Sequence, residues 1–228
     1  MGTNKLQRFE EISEFEHVLE LTDYQDQHSS KPKGRWRADI FGNDYPIILE
    51  LACGKGTYTL ELAHRFPRKN IVGIDIKGAR IWKGATRALD EELDNVRFMR
   101  MYVDHLYEYF APAEVDEIWI TFADPYPNGS DRDKRLTSSK FLNIYQKVLK
   151  SSGKVRLKTD SDLLFDFTTK IIDKTGCEIL ESVDSIYDEC SSDQLLTIKT
   201  DYEKRHLQQG KTISYIKFKL PANPIRDK

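Results

Sequence analysis

Ile47-Ile48-Leu49-Glu50-Leu51-Ala52-Cys53-Gly54-Lys55-Gly56-Thr57 is the stretch that decides the fold. Ile47–Ala52 is an apolar run broken only by Glu50, and it ends in glycines, as a strand buried on both faces would. Thr57–Arg65 then has helical period, with Thr57 placed to cap it. Downstream the alternation continues. Asn70–Ile76, Val96–Val103, Glu117–Phe122 and Gly153–Thr159 read as strands, and Ala79–Leu93, Ser138–Leu149 and Asp162–Lys174 as helices. Cys177–Val183 and Thr212–Leu220 alternate and can close the sheet. Strands alternating with helices of this length predict an α/β fold with a mostly parallel, doubly wound sheet and right-handed crossovers. The C-terminal strand is expected to run antiparallel. Upstream, residues 4–21 carry apolar positions at helical spacing, and Tyr24–Lys33 reads as a loop. The reading therefore sets residues 1–33 apart as an N-terminal extension and assigns residues 34–228 to the folded domain.

In such a sheet, ligands bind at the carboxyl ends of the strands. After the first buried strand, Gly54 and Gly56 let a ligand approach the backbone. Together with Glu50 they resemble motif I of the Rossmann-like methyltransferases, E/D-x-G-x-G-x-G, with Ala52 at the first glycine. An acid at that strand end suits a zwitterionic cofactor with an amino group and a sulfonium, and would repel a pyrophosphate. Asp75 ends the second strand 19 residues beyond Gly56, near the spacing of about 20 at which an acid binds ribose hydroxyls in this fold. Asp104 follows the third strand; the resemblance to motif-I methyltransferases implies that an acid here meets an adenine amino group, and the alternative is the N-cap of a helix over His105–Phe110. After the fourth comes Phe122-Ala123-Asp124-Pro125-Tyr126-Pro127. Two prolines in a tight loop fix the backbone and hold one carboxylate at the strand end.

That loop, followed by Asn128-Gly129-Ser130-Asp131-Arg132-Asp133-Lys134-Arg135-Leu136-Thr137, resembles the F-x-D-P-W-P loop, basic run and R-L-T of the bacterial tRNA (guanine-N7-)-methyltransferase family. Gly34-Arg35-Trp36, Phe41-Gly42-Asn43, Lys158-Thr159-Asp160 and Thr200-Asp201-Tyr202-Glu203 resemble further motifs of that family, in order, from Gly34 to Leu220. Tyr126 replaces the usual tryptophan, and Asn128 stands where the family has a substrate-contacting lysine. The resemblance implies a Rossmann-like methyltransferase fold. It also implies methyl transfer from S-adenosylmethionine to N7 of guanine, expected at position 46 of tRNA. Glu50, Gly54, Gly56, Asp75, Asp104 and Asp124 would then bind the cofactor, with Asp124 also at the reaction centre. Asp160, Thr200, Asp201, Tyr202 and Glu203 would contact the substrate, although Asp160 could equally cap the helix that begins near Ser161. Arg132, Lys134 and Arg135 would meet RNA phosphates. Other readings are a methyltransferase acting on an exocyclic base amine, because D-P-Y-P loosely resembles a D/N-P-P-Y loop, and a non-catalytic RNA-binding module.

Composition limits the class without choosing the chemistry. The 228 residues fit one large domain, and 39% of them are hydrophobic, enough to fill a core. No apolar stretch is long enough to span a membrane. No signal-peptide core follows the N-terminus, and Cys53, Cys177 and Cys190 form no paired framework, so the cytoplasm is the expected compartment. No metal-ligand spacing is present; partners are expected to be tRNA, with no membrane and no metal, for a monomer or homodimer. Net charge is −2, yet residues 130–158 hold nine basic and two acidic side chains, a local excess that could attract phosphate. The five histidines are scattered, with surface positions the default. Cys53 and the three tryptophans are expected to pack rather than react or stack on bases.

Overall fold

The computed structural model describes residues 5–20, 31–188 and 194–225. In chain order the elements are α1 (Lys5–Glu14), β1 (Val18–Glu20), β2 (Ile47–Leu51), α2 (Thr57–Arg65), β3 (Asn70–Asp75), α3 (Gly78–Asp90), β4 (Val96–Arg100), α4 (Leu106–Tyr109) and β5 (Val115–Thr121). They continue with α5 (Ser139–Gln146), β6 (Leu149–Thr159), α6 (Asp162–Thr175), β7 (Glu178–Val183), α7 (Asp201–Gln208) and β8 (Ser214–Lys219). Eight strands form one sheet in the order β1-β4-β3-β2-β5-β6-β8-β7. Every pairing from β1 to β6 is parallel, and β8 runs antiparallel to both β6 and β7.

This order places the first crossover reversal between β2 and β5. All residues of β2 and β3 are buried, because helices cover both faces of the sheet centre. Two apolar clusters fill the layers, one containing Leu49, Leu51, Ile118 and Ile120, the other Ile48, Ile71, Phe98 and Trp119. Successive residues of one strand thus serve opposite cores, as the pleat requires. Trp36 and Trp119 are both fully buried, in keeping with a packing role.

The structure departs from the sequence reading in several places. The helical period over residues 4–21 breaks at Glu14, and Val18–Glu20 becomes an edge strand paired with Phe98–Arg100. Residues 5–20, set apart as an extension, therefore lie against the same sheet. Gly56, in the left-handed region at φ +69°, precedes the first turn of α2, so Thr57 is a helical residue and not the cap. His17 is buried and its Nε2 lies 3.0 Å from the Ala85 carbonyl oxygen, so it is no surface histidine. Residues 24–30 of the expected loop, with His28, and Cys190 lie outside the described residues.

Candidate active site

The carboxyl ends of β2 and β5 do not run straight into their loops. Ala52 (φ +58°), Phe122 (φ +52°) and Tyr126 (φ +44°) all occupy the left-handed region that disfavours side chains. Each costs roughly 1–3 kcal/mol in such a conformation, and residues held this way concentrate where function demands a particular backbone path. Here the path opens two adjoining cavities. The first, about 350 Å³, lies over β3 and β4 and is lined by Asp75, Met101, Asp104, Leu136, Lys140 and Phe141 among others. The second, about 480 Å³, lies over β2, β5 and β6 and is lined by Glu50, Gly54, Asp124, Asp160, Thr200 and Tyr202 among others. Ala52, Arg80, Phe122, Ala123 and Asp124 line both. Exposed Asp124 thus stands where the cavities meet.

Asp75 is oriented by the backbone. Its carboxylate accepts from the Gly54 amide at 2.9 Å and the Lys77 amide at 2.7 Å. A carboxylate has about four lone-pair positions, so two remain for a ligand. A Cβ on Gly54 would meet no atom within 4 Å, so that backbone faces open space, whereas one on Gly56 would strike the Phe98 ring at 2.7 Å. Gly54 leaves the cavity accessible, and Gly56 lets the loop pack on β4. Asp104 is ion-paired to Lys140, and no side-chain cap bond forms at the helix it was offered to cap.

Glu50 sits beneath these groups, 1% exposed. It accepts from the hydroxyl of Thr121 at 2.5 Å and from that of Thr59. Desolvation dominates over those bonds and raises its pKa to about 7. The folded state therefore holds this proton more tightly than the unfolded chain does. The resulting stabilisation is complete below the unfolded value near 4.5 and is lost as pH rises to about 7. Each pKa unit is about 1.4 kcal/mol, so this one residue should remove roughly 3 kcal/mol of stability over that window. Urea denaturation from pH 4.5 to 8 should show the loss in the wild type and not in Glu50→Gln; parallel pH profiles for the two proteins would refute it.

Several residues expected at the substrate serve the scaffold instead. Glu203 is fully buried, paired with Lys158 at 2.8 Å and accepting from the Tyr187 hydroxyl at 2.5 Å. Both of those contacts are to Oε1, and Lys158 also donates to Oε2 at 2.9 Å, so both oxygens are taken and Glu203 cannot also reach a base edge. Lys158, also fully buried, donates further to the carbonyls of Ile198 at 2.8 Å and Leu196 at 3.1 Å. This explains physically why K-T-D and T-x-Y-E occur together: the lysine of one holds the segment that carries the other. Arg135 is likewise 5% exposed, with Nε donating to the Pro125 carbonyl at 2.9 Å and a terminal nitrogen to that of Tyr126 at 2.8 Å. It braces the loop of Asp124 and is not free for phosphate. Thr200 caps α7 by accepting from the Glu203 amide at 3.1 Å.

The remaining expected residues do face solvent or the second cavity. Asp160 lines it, with one oxygen 2.7 Å from His206 Nδ1 and 2.8 Å from Lys211 Nζ. Ser161 caps α6 by accepting from the Leu164 amide, so Asp160 does not. Tyr202 is 39% exposed, stacked on His206 at 3.9 Å and tilted against Phe122 at 5.4 Å. Asp201 is exposed beside it. Cys53 is buried, and burial pushes its thiol well above the ordinary range, consistent with packing.

Most basic side chains of the stretch 130–158 are ion-paired. Lys134, Lys140, Lys150, Arg156 and Lys158 pair with Asp131, Asp104, Asp116, Glu117 and Glu203. Arg132 remains exposed. Arg135, Arg156 and Lys158 are buried, whereas Lys134, Lys140 and Lys150 form their ion pairs at the surface. Arg80, at the junction of the cavities, went unnoticed because nothing in its local pattern marks it. Among the described residues no group of His, Cys, Asp and Glu is arranged to hold a metal, and no helix is long and apolar enough to cross a membrane.

A protein-family model described as "Putative methyltransferase" matches residues 44–216. The tRNA (guanine-N(7)-)-methyltransferase of Christiangramia forsetii is 47% identical over 227 residues, covering 96% of this chain and 100% of that protein. The protein of that name from Bacteroides thetaiotaomicron is 42% identical, over 99% of this chain and 89% of its own length. Among solved structures, the 16S rRNA methyltransferase KamB superposes with a TM-score of 0.61 over 80% of this chain and 91% of that one; at 11% identity this is likeness of fold alone. With the family model spanning residues 44–216 and relatives of this identity covered almost end to end, the chain belongs to the tRNA (guanine-N(7)-)-methyltransferase family.

Proposed function

We propose that this chain transfers a methyl group from S-adenosylmethionine to N7 of a guanine in tRNA, at position 46, in the cytoplasm, as a metal-independent monomer or homodimer. The observation that carries the reading is the meeting of two cavities at Asp124. One has the apolar walls and the paired acids, Asp75 and Asp104, that suit an adenosine. The other has the exposed ring of Tyr202 and the carboxylate of Asp160 that suit a purine base. The donor set fits the cofactor: Asp75, bonded to the Gly54 amide, and Asp124 at the junction favour an ammonium and a sulfonium and disfavour a phosphate.

Bound there, S-adenosylmethionine would supply an electrophilic methyl group that a lone pair can take, the S–CH3 bond pair leaving on sulfur as S-adenosylhomocysteine. Guanine N7 carries a lone pair and no proton at neutral pH, so no residue must act as a base. What the chain contributes is position. Asp75 orients the ribose, Asp124 stands at the junction, and Asp160, through the oxygen that His206 and Lys211 leave free, can accept one hydrogen bond from the guanine Watson–Crick edge. Near-attack alignment of this kind is worth about 7–11 kcal/mol in ideal cases.

Incubating bulk tRNA with methyl-labelled cofactor and identifying the modified nucleoside tests the proposal. N7-methylguanosine is expected; label on an exocyclic amine, or none, would overturn it. Asp75→Ala should also weaken cofactor binding by about 1.5–3 kcal/mol, as loss of a charged acceptor does. Calorimetry showing unchanged affinity would mean that the ribose lies elsewhere.

A further inference from the structure

The residues expected to meet RNA phosphates are mostly committed, and so are most cations at the cavities. Arg135 braces the Asp124 loop, Lys134 is paired with Asp131 at 2.8 Å, Lys140 with Asp104, and Lys211 with Asp160 at 2.8 Å. Four other cations are not. Lys55, Lys77, Arg80 and Lys83 are exposed, and among the described residues their side chains make no hydrogen bond or ion pair. They come from two elements and converge on one rim. Lys77 and Arg80 line the first cavity, Lys55 and Arg80 the second. Lys83 lies one turn beyond Arg80 on α3 and carries the charge outward from the mouth.

This placement does nothing for the helix. Cations at its start oppose the dipole, and no acid in its first turn offsets them. Residues 76–83 hold three basic side chains and no acidic one. Solvated lysines scatter; here Lys77 and Lys55 border one cavity each, Arg80 borders both, and the floors carry carboxylates. The contrast is what a polyanion with one inserted base would meet: cations for the backbone at the rim, acceptors for the base within.

We infer that Lys55, Lys77, Arg80 and Lys83 form the surface that grips the RNA backbone beside the target guanosine, in place of the basic run after the Asp124 loop. The inference rests on the tRNA substrate proposed above. Phosphate neutralisation releases counterions, so each contact contributes about 0.7–0.9 to the slope of log affinity against log salt.

The test is filter binding of tRNA to the full chain between 50 and 200 mM salt without cofactor, for wild type, Arg80→Gln, Lys83→Gln and Lys134→Gln. Arg80→Gln and Lys83→Gln should each flatten the slope by about 0.7–0.9 and raise Kd about sixfold near 0.1 M salt. Lys134→Gln should change the slope less than either. Unchanged slopes in both Arg80→Gln and Lys83→Gln would overturn the inference. So would a drop confined to Lys134→Gln, or an Arg80→Gln protein that loses only affinity for S-adenosylmethionine by calorimetry, which would place Arg80 on the cofactor's carboxylate. Wild-type methylation of the same tRNA is scored separately: a wild type that binds with a steep slope yet forms no N7-methylguanosine would fail the function while leaving the surface intact.

Discussion

Lys158→Met is expected to destabilise the protein by about 3–5 kcal/mol, the range for stranding one half of a buried ion pair. Lys158 and Glu203 are both fully buried, 2.8 Å apart. Burial pushes the Lys158 pKa down, and the carboxylate of Glu203 opposes that shift. Without the ammonium, Glu203 keeps, among the described residues, the Tyr187 hydroxyl alone, and the carbonyls of Leu196 and Ile198 lose the Lys158 donor. Removing both charges is a different matter, since a buried pair replaced by apolar residues of similar volume is often neutral or better. Lys158→Met/Glu203→Leu should therefore be more stable than Lys158→Met alone. Urea midpoints at constant m-value measure both. A single variant losing under about 1 kcal/mol, or a double variant no better than the single, would contradict this account.

Asp124→Ala should lower the single-turnover rate of methyl transfer by about two to three orders of magnitude, the scale set by small misplacements and by lost electrostatic contacts in active sites. Asp124 is held at the junction by two prolines and by Arg135 on the Pro125 and Tyr126 carbonyls. So much bracing suits a group that positions its neighbours. Asp124→Asn preserves shape and one acceptor, and should keep more activity than Asp124→Ala. The rate with both substrates bound should be nearly flat from mildly acidic to mildly basic pH. A rate rising tenfold per pH unit, through an ionisation absent from Asp124→Asn, would reveal a catalytic base and end the positioning account.

The sheet centre was legible because its strands are buried on both faces and carry their own pattern. Asn70–Asp75 and Thr57–Arg65 fall where periodicity puts them. Asp75 was legible from its distance to the glycine turn. Val18–Glu20 was not: three residues following a helical pattern hold no strand signal, and only pairing with β4 makes them one. The roles of Glu203 and Arg135 were hidden for another reason. A charged residue in a motif reads the same whether its partner is a ligand or a lysine 45 positions away, and only packing tells them apart.

The first strand and its partner are far apart in the chain, since Val18 pairs with Phe98. During synthesis the N-terminal strand leaves the ribosome about 80 residues ahead of β4, and at 5–20 residues per second that interval lasts roughly 4–16 s. Through that time its backbone amides and carbonyls have no ladder to join, the condition in which strand edges recruit other chains. The acids that surround it, Glu14, Glu16 and Glu20, put like charge on every nascent copy. Neighbouring polypeptides on one messenger would repel at the segment most open to mispairing, until the emergence of Phe98–Arg100 gives β1 its proper place.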